Sequence, residues 1–221
     1  MNSAFLKIQM KQVFGLLLFL VLFFLFTDQN LHLFVNSYHS PFFDVFFKYV
    51  TFFGDGALFG VFIITFFIVK KKHCLKFVIS GLLTLLITFV LKKLIFLGTP
   101  RPVEYFGEEK LHLIEGVKMC HWNTFPSGHA MAAFAMFFIL FIISKSPYLK
   151  WGALSIAFLA ALSRVYLSQH FLLDILVGGM LGVGIARLSN YWGILWFKQI
   201  KKKRKMAKNK ISKRGLENEL F

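Results

Sequence analysis

Long apolar blocks separated by short polar stretches dominate the chain and predict membrane-spanning helices. A helix that spans a bilayer needs about 20 consecutive apolar residues, and the apolar residues here form continuous runs without strand or heptad periodicity. Six blocks span, or nearly span, a bilayer: Lys11–Thr27, Phe52–Val69, Leu75–Leu97, Ala130–Ser144, Leu149–Leu167 and Phe171–Phe197. The first and fourth are short. The pattern predicts an all-α fold, an integral membrane bundle of six transmembrane helices.

The composition agrees with one membrane domain. The chain has 221 residues, is 57% hydrophobic and contains 30 phenylalanines, which is more apolar than a soluble domain of this length. We predict a single transmembrane domain over residues 1–197 and a basic, disordered tail over 198–221. Within the last block, a small-residue face predicts close helix packing; it consists of Gly178, Gly179, Gly182 and Gly184.

The net charge of +16 raises the possibility of nucleic-acid binding, but the placement of the charges favours a membrane orientation. With the N-terminus inside, the inner segments hold 18 of the 26 lysines and arginines, ten of them in the tail, and the outer segments hold 7. This is the positive-inside bias. It predicts cytoplasmic termini and a tail near anionic lipid headgroups, with no nucleic-acid partner. The first block could be a signal peptide, but no small-residue cleavage site follows it.

The stretch from Asp28 to Thr51 predicts an interfacial amphipathic helix leading into the second span. The long loop lies on the outer side and runs from Gly98 to Phe125. The histidines and glutamates of this loop are better explained as solvated side chains than as contacts to a substrate. A Cys120–His121 metal site is disfavoured because zinc needs more ligands at regular spacing.

Ionisable side chains at the outer ends of apolar spans are costly and indicate function. The first cluster is "KKLIFLGTPRP", with Lys92, Lys93 and Arg101. The two prolines that flank Arg101 restrict the backbone and fix the direction of its guanidinium group. Taken without Arg101, Lys92 and Lys93 are explained equally well by a functional role and by long side chains whose charged ends extend to the membrane interface.

The second cluster is "FPSGH", at the start of the fourth block. Proline suits the first turn of a helix, so Ser127, Gly128 and His129 are predicted to present free backbone N–H groups at the positive end of the helix dipole. Such a terminus binds anions, phosphate above all. An ordinary helix start with an interfacial histidine is the alternative interpretation.

The third cluster is "SRVYLSQHFLLD". Arg164 ends the fifth span, and His170 and Asp174 are four residues apart, which places them on one helix face. The carboxylate can then bind one ring nitrogen and leave the other as a nucleophile or base. Together the three clusters predict a phosphate site with its own nucleophile and acid, working without a metal or cofactor through a phosphohistidine.

These motifs resemble those of the type-2 phosphatidic acid phosphatase superfamily, which contains membrane lipid phosphatases and is related to soluble acid phosphatases and vanadium haloperoxidases. Pro126-Ser127-Gly128-His129 matches the second family motif, and the third is complete from Ser163-Arg164 through His170 to Asp174. The first motif, lysine, six residues, Arg-Pro, departs by one residue. Its lysine position holds Leu94, so Lys93 is the candidate if Gly98 forms a bulge, and Lys92 is the fallback.

The resemblance implies a role for each matched residue. His170 is the expected nucleophile, oriented by Asp174, and His129 the expected proton donor to the leaving oxygen and activator of water. The expected phosphate-binding residues are Lys93, Arg101, Ser127, Gly128 and Arg164.

We therefore predict an integral membrane enzyme that hydrolyses a lipid phosphate or pyrophosphate at the non-cytoplasmic face, in a bacterial inner membrane with the site facing the periplasm. The candidate substrates are undecaprenyl pyrophosphate, phosphatidylglycerol phosphate, phosphatidic acid and lipid A phosphates. Two alternatives stay open: a lipid phosphotransferase that uses the same site, and a non-catalytic protein that binds or transports lipids.

Overall fold

The computed structural model describes residues 29–218, and this part of the chain is helical, with no β-strand. The first block, Lys11–Thr27, lies outside the described residues. The helices are α1 Asn30–Ser37, α2 Pro41–Val50, α3 Leu58–Val69, α4 Lys71–Val90, α5 Pro102–Phe106, α6 Gly128–Ile143, α7 Pro147–Tyr166 and α8 Leu172–Asn218. An isolated antiparallel bridge joins Pro100 and Trp122.

The stretch predicted to form an interfacial helix contains helix α2, and its place at the membrane interface stays a prediction. Ser40 caps it by accepting a hydrogen bond from the Phe43 N–H (3.3 Å), and Pro41 occupies its first turn. A 3₁₀ turn over Thr51–Gly54 and a bend of 57° separate α2 from α3. The predicted span Phe52–Val69 is therefore helical as α3 only from Leu58, because Asp55 and Gly56 interrupt the helix.

Two helical segments among the described residues are long and apolar enough to cross a membrane, Lys71–Ile95 and Leu172–Arg204. The bent pair Pro41–Gly54 and Leu58–Val69 makes a third if it forms one span. Helix α6 is apolar but has only 16 residues, about 24 Å at 1.5 Å per residue. The all-helical fold is confirmed, whereas the count of six spans stays a prediction.

Helix α6 lies at the centre and packs against α8, α7 and α4. Its small and flexible side chains are fully buried. Gly178 and Gly182 of α8 make the close approach possible, since a Cβ at Gly178 would lie 2.5 Å from the Ser127 carbonyl oxygen. The predicted packing role is confirmed for these two glycines and for Gly179, where a Cβ would lie 3.0 Å from the Phe134 ring. It is wrong for Gly184, which faces open space.

The tail differs from the sequence-based expectation. Residues 198–218 continue α8 as helix, where we predicted disorder over 198–221. The stretch is rich in good helix formers, contains no proline, and has no glycine before Gly215. Because α8 already supplies the helix nucleus, each further residue adds a hydrogen bond without a nucleation cost. The division of the chain at residue 197 stays a prediction.

Candidate active site

The three polar clusters meet at one end of the bundle. The contributing segments are the end of α4, the Gly98–Phe125 loop, the start of α6, the end of α7 and the turn that joins α7 to α8. The backbone N–H of Ser127 donates to the Asp174 carbonyl oxygen at 3.0 Å, which fixes the start of α6 to the first turn of α8. The prediction of a free N–H at Ser127 is therefore wrong, and Pro126 precedes the N-cap Ser127 rather than lying in the first turn.

His170 and Asp174 form the expected pair, and both are buried. The His170 Nδ1 atom lies 3.3 Å from Asp174 Oδ2. The same oxygen accepts hydrogen bonds from the Phe171 N–H (2.8 Å) and from the Thr124 hydroxyl. A carboxylate surrounded by donors favours the tautomer that carries its proton on Nδ1. The Nε2 atom of His170 is then left with a free lone pair.

The electrostatic surroundings keep that lone pair available. Burial, reinforced by Lys92, Arg101, Arg164 and His129, holds the pKa of His170 well below its ordinary value. At neutral pH the imidazole is therefore uncharged, as a nucleophile requires.

The start of α6 has the geometry of an anion site. Ser127 is the N-cap, and its Oγ accepts a hydrogen bond from the Ala130 N–H at 3.3 Å. This leaves the hydroxyl proton free for another acceptor. A Cβ at Gly128 would lie 3.4 Å from the Thr88 Cγ2 atom, an ordinary contact, so packing alone does not require glycine there. His129 follows in the first turn, where burial, reinforced by Arg164, Lys92 and Arg101, lowers its pKa to about 3.

Arg164 is 9% exposed, and its guanidinium lacks a full set of partners. The Nη1 atom donates to the Thr51 hydroxyl at 2.7 Å, but the Nε–H is buried without a hydrogen-bond acceptor. Arg101 is held more completely: its Nε donates to the Trp122 carbonyl oxygen, and its Nη1 donates to both oxygens of Gln169. The site thus gathers cations around His170, and an unpaired buried donor of this kind is costly without an anion.

The structure places the two lysines of the first cluster in different surroundings. Lys93 is exposed. Lys92 is half-buried, donates to the Asn123 carbonyl oxygen at 2.9 Å, and interacts electrostatically with Arg101, Asp174 and Arg164. Gly98 does adopt a positive φ of 78°, but this turn does not bring Lys93 to the site.

The helix type changes at the end of α4. Residues Leu91–Ile95 form a π-helical turn, closed by the Phe96 N–H donating to the Leu91 carbonyl oxygen at 2.7 Å. A π turn has one more residue than an α turn, so the segment between Lys92 and Arg101 differs from a regular α-helical one. From the burial of Lys92 and its electrostatic interaction with Asp174, we infer that Lys92 is a stronger candidate than Lys93 for the lysine of the first motif.

Paired glutamine substitutions test this inference. Lys92→Gln is expected to lower kcat/KM for a lipid phosphate roughly 100-fold, because it removes a cation from the charged transition state. Lys93→Gln, the same change one residue along, is the matched control and is expected to have little effect. Steady-state kinetics of both variants in detergent decide between them; a larger loss from Lys93→Gln would restore the original assignment.

Several side chains at the site lie outside the motifs and were missed from the sequence. Thr124 contacts both His170 and Asp174, Thr51 binds Arg164, and Asp55 acts electrostatically on His129. Gln169 is buried and receives Arg101. Of these residues, only Gln169 could have been proposed from the sequence, because it directly precedes His170.

The other histidines of the outer loop pair with carboxylates. His112 binds Asp44 at 3.0 Å and stacks on His39 with ring centroids 3.7 Å apart, while His121 binds Glu104 at 3.0 Å. Within residues 29–218, no three His, Cys, Asp or Glu side chains are grouped as metal ligands.

Residues 73–198 match the model of the PAP2 superfamily. Among curated proteins, the chain is 34% identical over 70 residues to "Bacitracin transport permease protein BcrC" of Bacillus licheniformis, and 33% identical over 72 residues to "Lipid A 1-phosphatase" of Porphyromonas gingivalis. Each alignment covers 32% of this chain. The chain spans only 33% of the first relative and 16% of the second.

Two solved structures are similar over most of their length. The crystal structure of Aquifex aeolicus LpxE has a TM-score of 0.62 and 28% identity, covering 73% of this chain and 93% of the other. The first transmembrane PAP2-type phosphatidylglycerolphosphate phosphatase from Bacillus subtilis has a TM-score of 0.54 and 25% identity, covering 81% and 94%.

Proposed function

The chain belongs to the PAP2 superfamily, and from its site we propose that it is a membrane lipid phosphatase. The proposed reaction is metal-independent hydrolysis of a lipid phosphate or pyrophosphate at the non-cytoplasmic membrane face, through a phosphohistidine. The observation that carries the proposal is the buried Arg164 with its unpaired Nε–H, beside Lys92, Arg101 and a neutral His170. A phosphate group would supply the missing negative charge and acceptors.

In the first step, Nε2 of His170 attacks phosphorus, forming a P–N bond while the P–O bond to the lipid breaks. The negative charge of the bound phosphate offsets the burial and the cations that lower the pKa of His129, so His129 is protonated in the complex and donates a proton to the departing lipid oxygen. Asp174 stabilises the positive charge that develops on the His170 ring, because its carboxylate stays ionised and accepts a hydrogen bond from the Nδ1–H group. The cations and the N–H groups at the start of α6 stabilise the charge on the equatorial phosphoryl oxygens.

In the second step, His129 removes a proton from water, and the resulting hydroxide attacks phosphorus. The P–N bond breaks, inorganic phosphate leaves, and His170 returns to its neutral state. The same residue can serve as acid and then as base because the first step leaves it deprotonated. The proposed phosphate-binding groups for both steps are Lys92, Arg101, Ser127, Gly128 and Arg164.

The proposed orientation has the site at the periplasmic side of a bacterial inner membrane and basic segments at the cytoplasmic side. Residue 143 ends α6 roughly 20 Å from His129 at 1.5 Å per residue. A cavity of about 510 Å³ lies at that end. Its basic and apolar lining supports the proposal that anionic lipid headgroups bind there and at the neighbouring tail; the lining includes Lys70, Lys72, Lys145, Phe66, Leu140 and Leu149.

The candidate substrates share a phosphate or pyrophosphate on a lipid anchored in the bilayer. The relatives named for lipid A 1-phosphatase and phosphatidylglycerolphosphate phosphatase support including lipid A phosphates and phosphatidylglycerol phosphate. Phosphatidic acid and undecaprenyl pyrophosphate are also candidates. The proposed site binds the phosphate group, which these lipids share with the other two, and the lipid anchor stays in the bilayer.

A panel of these four lipids, assayed with purified protein in detergent, tests the proposal. We expect phosphate release from at least one of them, and undiminished release in EDTA because none of the proposed steps uses a metal. A competing alcohol acceptor distinguishes hydrolysis from phosphoryl transfer. Release from none of the lipids, or activity that EDTA removes and magnesium restores, would contradict the proposed function.

A further inference from the structure

The turn that presents His170 has an unusual residue at its key position. Helix α7 ends in a Schellman motif: the Gln169 N–H donates to the Arg164 carbonyl oxygen (2.9 Å), and the Ser168 N–H donates to the Val165 carbonyl oxygen (3.0 Å). The residue after the cap of such a motif is left-handed and is usually glycine. Here it is Ser168, with a φ of 51°. The His170 N–H also reaches the Arg164 carbonyl oxygen, at 3.1 Å.

Two side chains of α1 hold the Ser168 hydroxyl. The Asn36 Nδ2 atom donates to Ser168 Oγ at 3.1 Å, and His32 Nε2 lies 3.2 Å from the same oxygen. All three residues are buried, Ser168 completely. Burial lowers the pKa of His32 to about 4, so its ring is neutral and hydrogen-bonds without adding charge.

Asn36 also binds the outer loop. Its Oδ1 atom accepts a hydrogen bond from the His112 N–H at 2.7 Å, and its Nδ2 atom donates to the His112 carbonyl oxygen at 3.1 Å. The amide therefore uses both N–H groups and its oxygen. One side chain thus joins the turn before His170 to the loop that carries Arg101 and Thr124.

We propose that Asn36 and His32 are positioning residues, which hold Ser168 in its left-handed conformation and thereby fix Gln169 and His170. Without the clamp, a serine in this conformation reverts toward the right-handed region that L-residues prefer. Such a change would displace the His170 ring from in-line attack and release the oxygen atoms of Gln169 that hold Arg101. The proposal rests on the proposed lipid phosphatase activity.

Two substitutions at Ser168 separate positioning from simple packing. Ser168→Ala removes the hydroxyl but keeps the penalty for positive φ, and is expected to lower kcat on the order of tenfold with little change in KM. Ser168→Gly also removes the hydroxyl, but glycine adopts positive φ freely, so activity is expected to stay within about threefold of the unsubstituted protein. A packing role predicts the opposite order, since alanine fills more of the buried space.

Asn36→Ala completes the experiment. It is expected to lower kcat roughly tenfold alone, but clearly less in the Ser168→Gly background, where the clamp is no longer needed. The control pair is Ser189→Ala and Ser189→Gly. Ser189 is buried at an ordinary helical position of α8, where glycine is less favourable than alanine. All variants are compared below their measured unfolding midpoints.

The possible results are distinct. An inactive unsubstituted protein would contradict the proposed function itself. An active protein in which Ser168→Gly is as impaired as Ser168→Ala, or in which Asn36→Ala has the same effect in both backgrounds, would overturn the clamp alone.

Discussion

His170→Ala is expected to lower kcat for the best lipid substrate by roughly 10⁴-fold or more, the scale seen when a covalent nucleophile is removed. The buried ring has one nitrogen directed to Asp174, so its other nitrogen is the group we propose for attack on phosphorus. Phosphate release by purified variant and unsubstituted protein at equal concentration measures the effect.

The matched control is His121→Ala, because His121 is an exposed histidine paired with Glu104 in the outer loop. It should keep near-normal activity. Both variants should elute from size exclusion and unfold thermally like the unsubstituted protein. A His170→Ala protein with activity within tenfold of normal would remove His170 from the mechanism.

Asp174→Asn has the second largest expected effect, a loss of kcat on the order of 10³–10⁴-fold. The substitution keeps the size of the side chain but removes the negative charge that stabilises the developing charge on His170. It can also present an amide donor to His170 Nδ1, which favours the wrong tautomer. Kinetics with the same lipid as for His170→Ala allow direct comparison.

Glu104→Gln is the corresponding control, an acid-to-amide change at a half-exposed outer-loop pair, and should change kcat little. Thr124→Val should fall between the two, since it removes one donor to Asp174 and leaves the carboxylate charged. An Asp174→Asn variant as active as Glu104→Gln would mean that His170 needs no carboxylate partner.

The parts of the site that the sequence predicts are those with local patterns. His170 and Asp174 lie four residues apart at the start of a helix, and a proline followed by Ser127 and Gly128 is typical of a helix start. Such signals depend on backbone geometry within one or two turns. The structure brings these residues together with Arg101, His129 and Arg164 at one end of the bundle.

The parts that the sequence did not predict depend on longer-range packing or on departures from regular helices. Lys92 is half-buried and interacts with Arg101 and Asp174, and the π-helical turn that follows Leu91 makes spacing counted on an α-helix unreliable between Lys92 and Arg101. Thr124 reaches Asp174 across 50 residues, and Asn36 reaches Ser168 across 132. Neither contact leaves a periodic pattern in the sequence.

The tail shows a related limit of composition, since residues 198–218 are helical where composition suggests disorder. A run of basic residues has the composition of a solvated segment, but its residues are also good helix formers attached to an existing helix. Composition alone does not distinguish these outcomes. The continuous α8 helix to Asn218 reflects the second property.

The central claim is that His170 carries the phosphoryl group during turnover. Rapid acid-free quenching of the protein with a lipid phosphate, followed by proteolysis and mass spectrometry, tests it directly. We predict a peptide that contains His170 with one added phosphoryl group, formed and lost at rates at least equal to kcat, and absent from His170→Ala. Full turnover with no phosphorylated peptide at any time, or phosphorylation that persists in His170→Ala, would contradict the account.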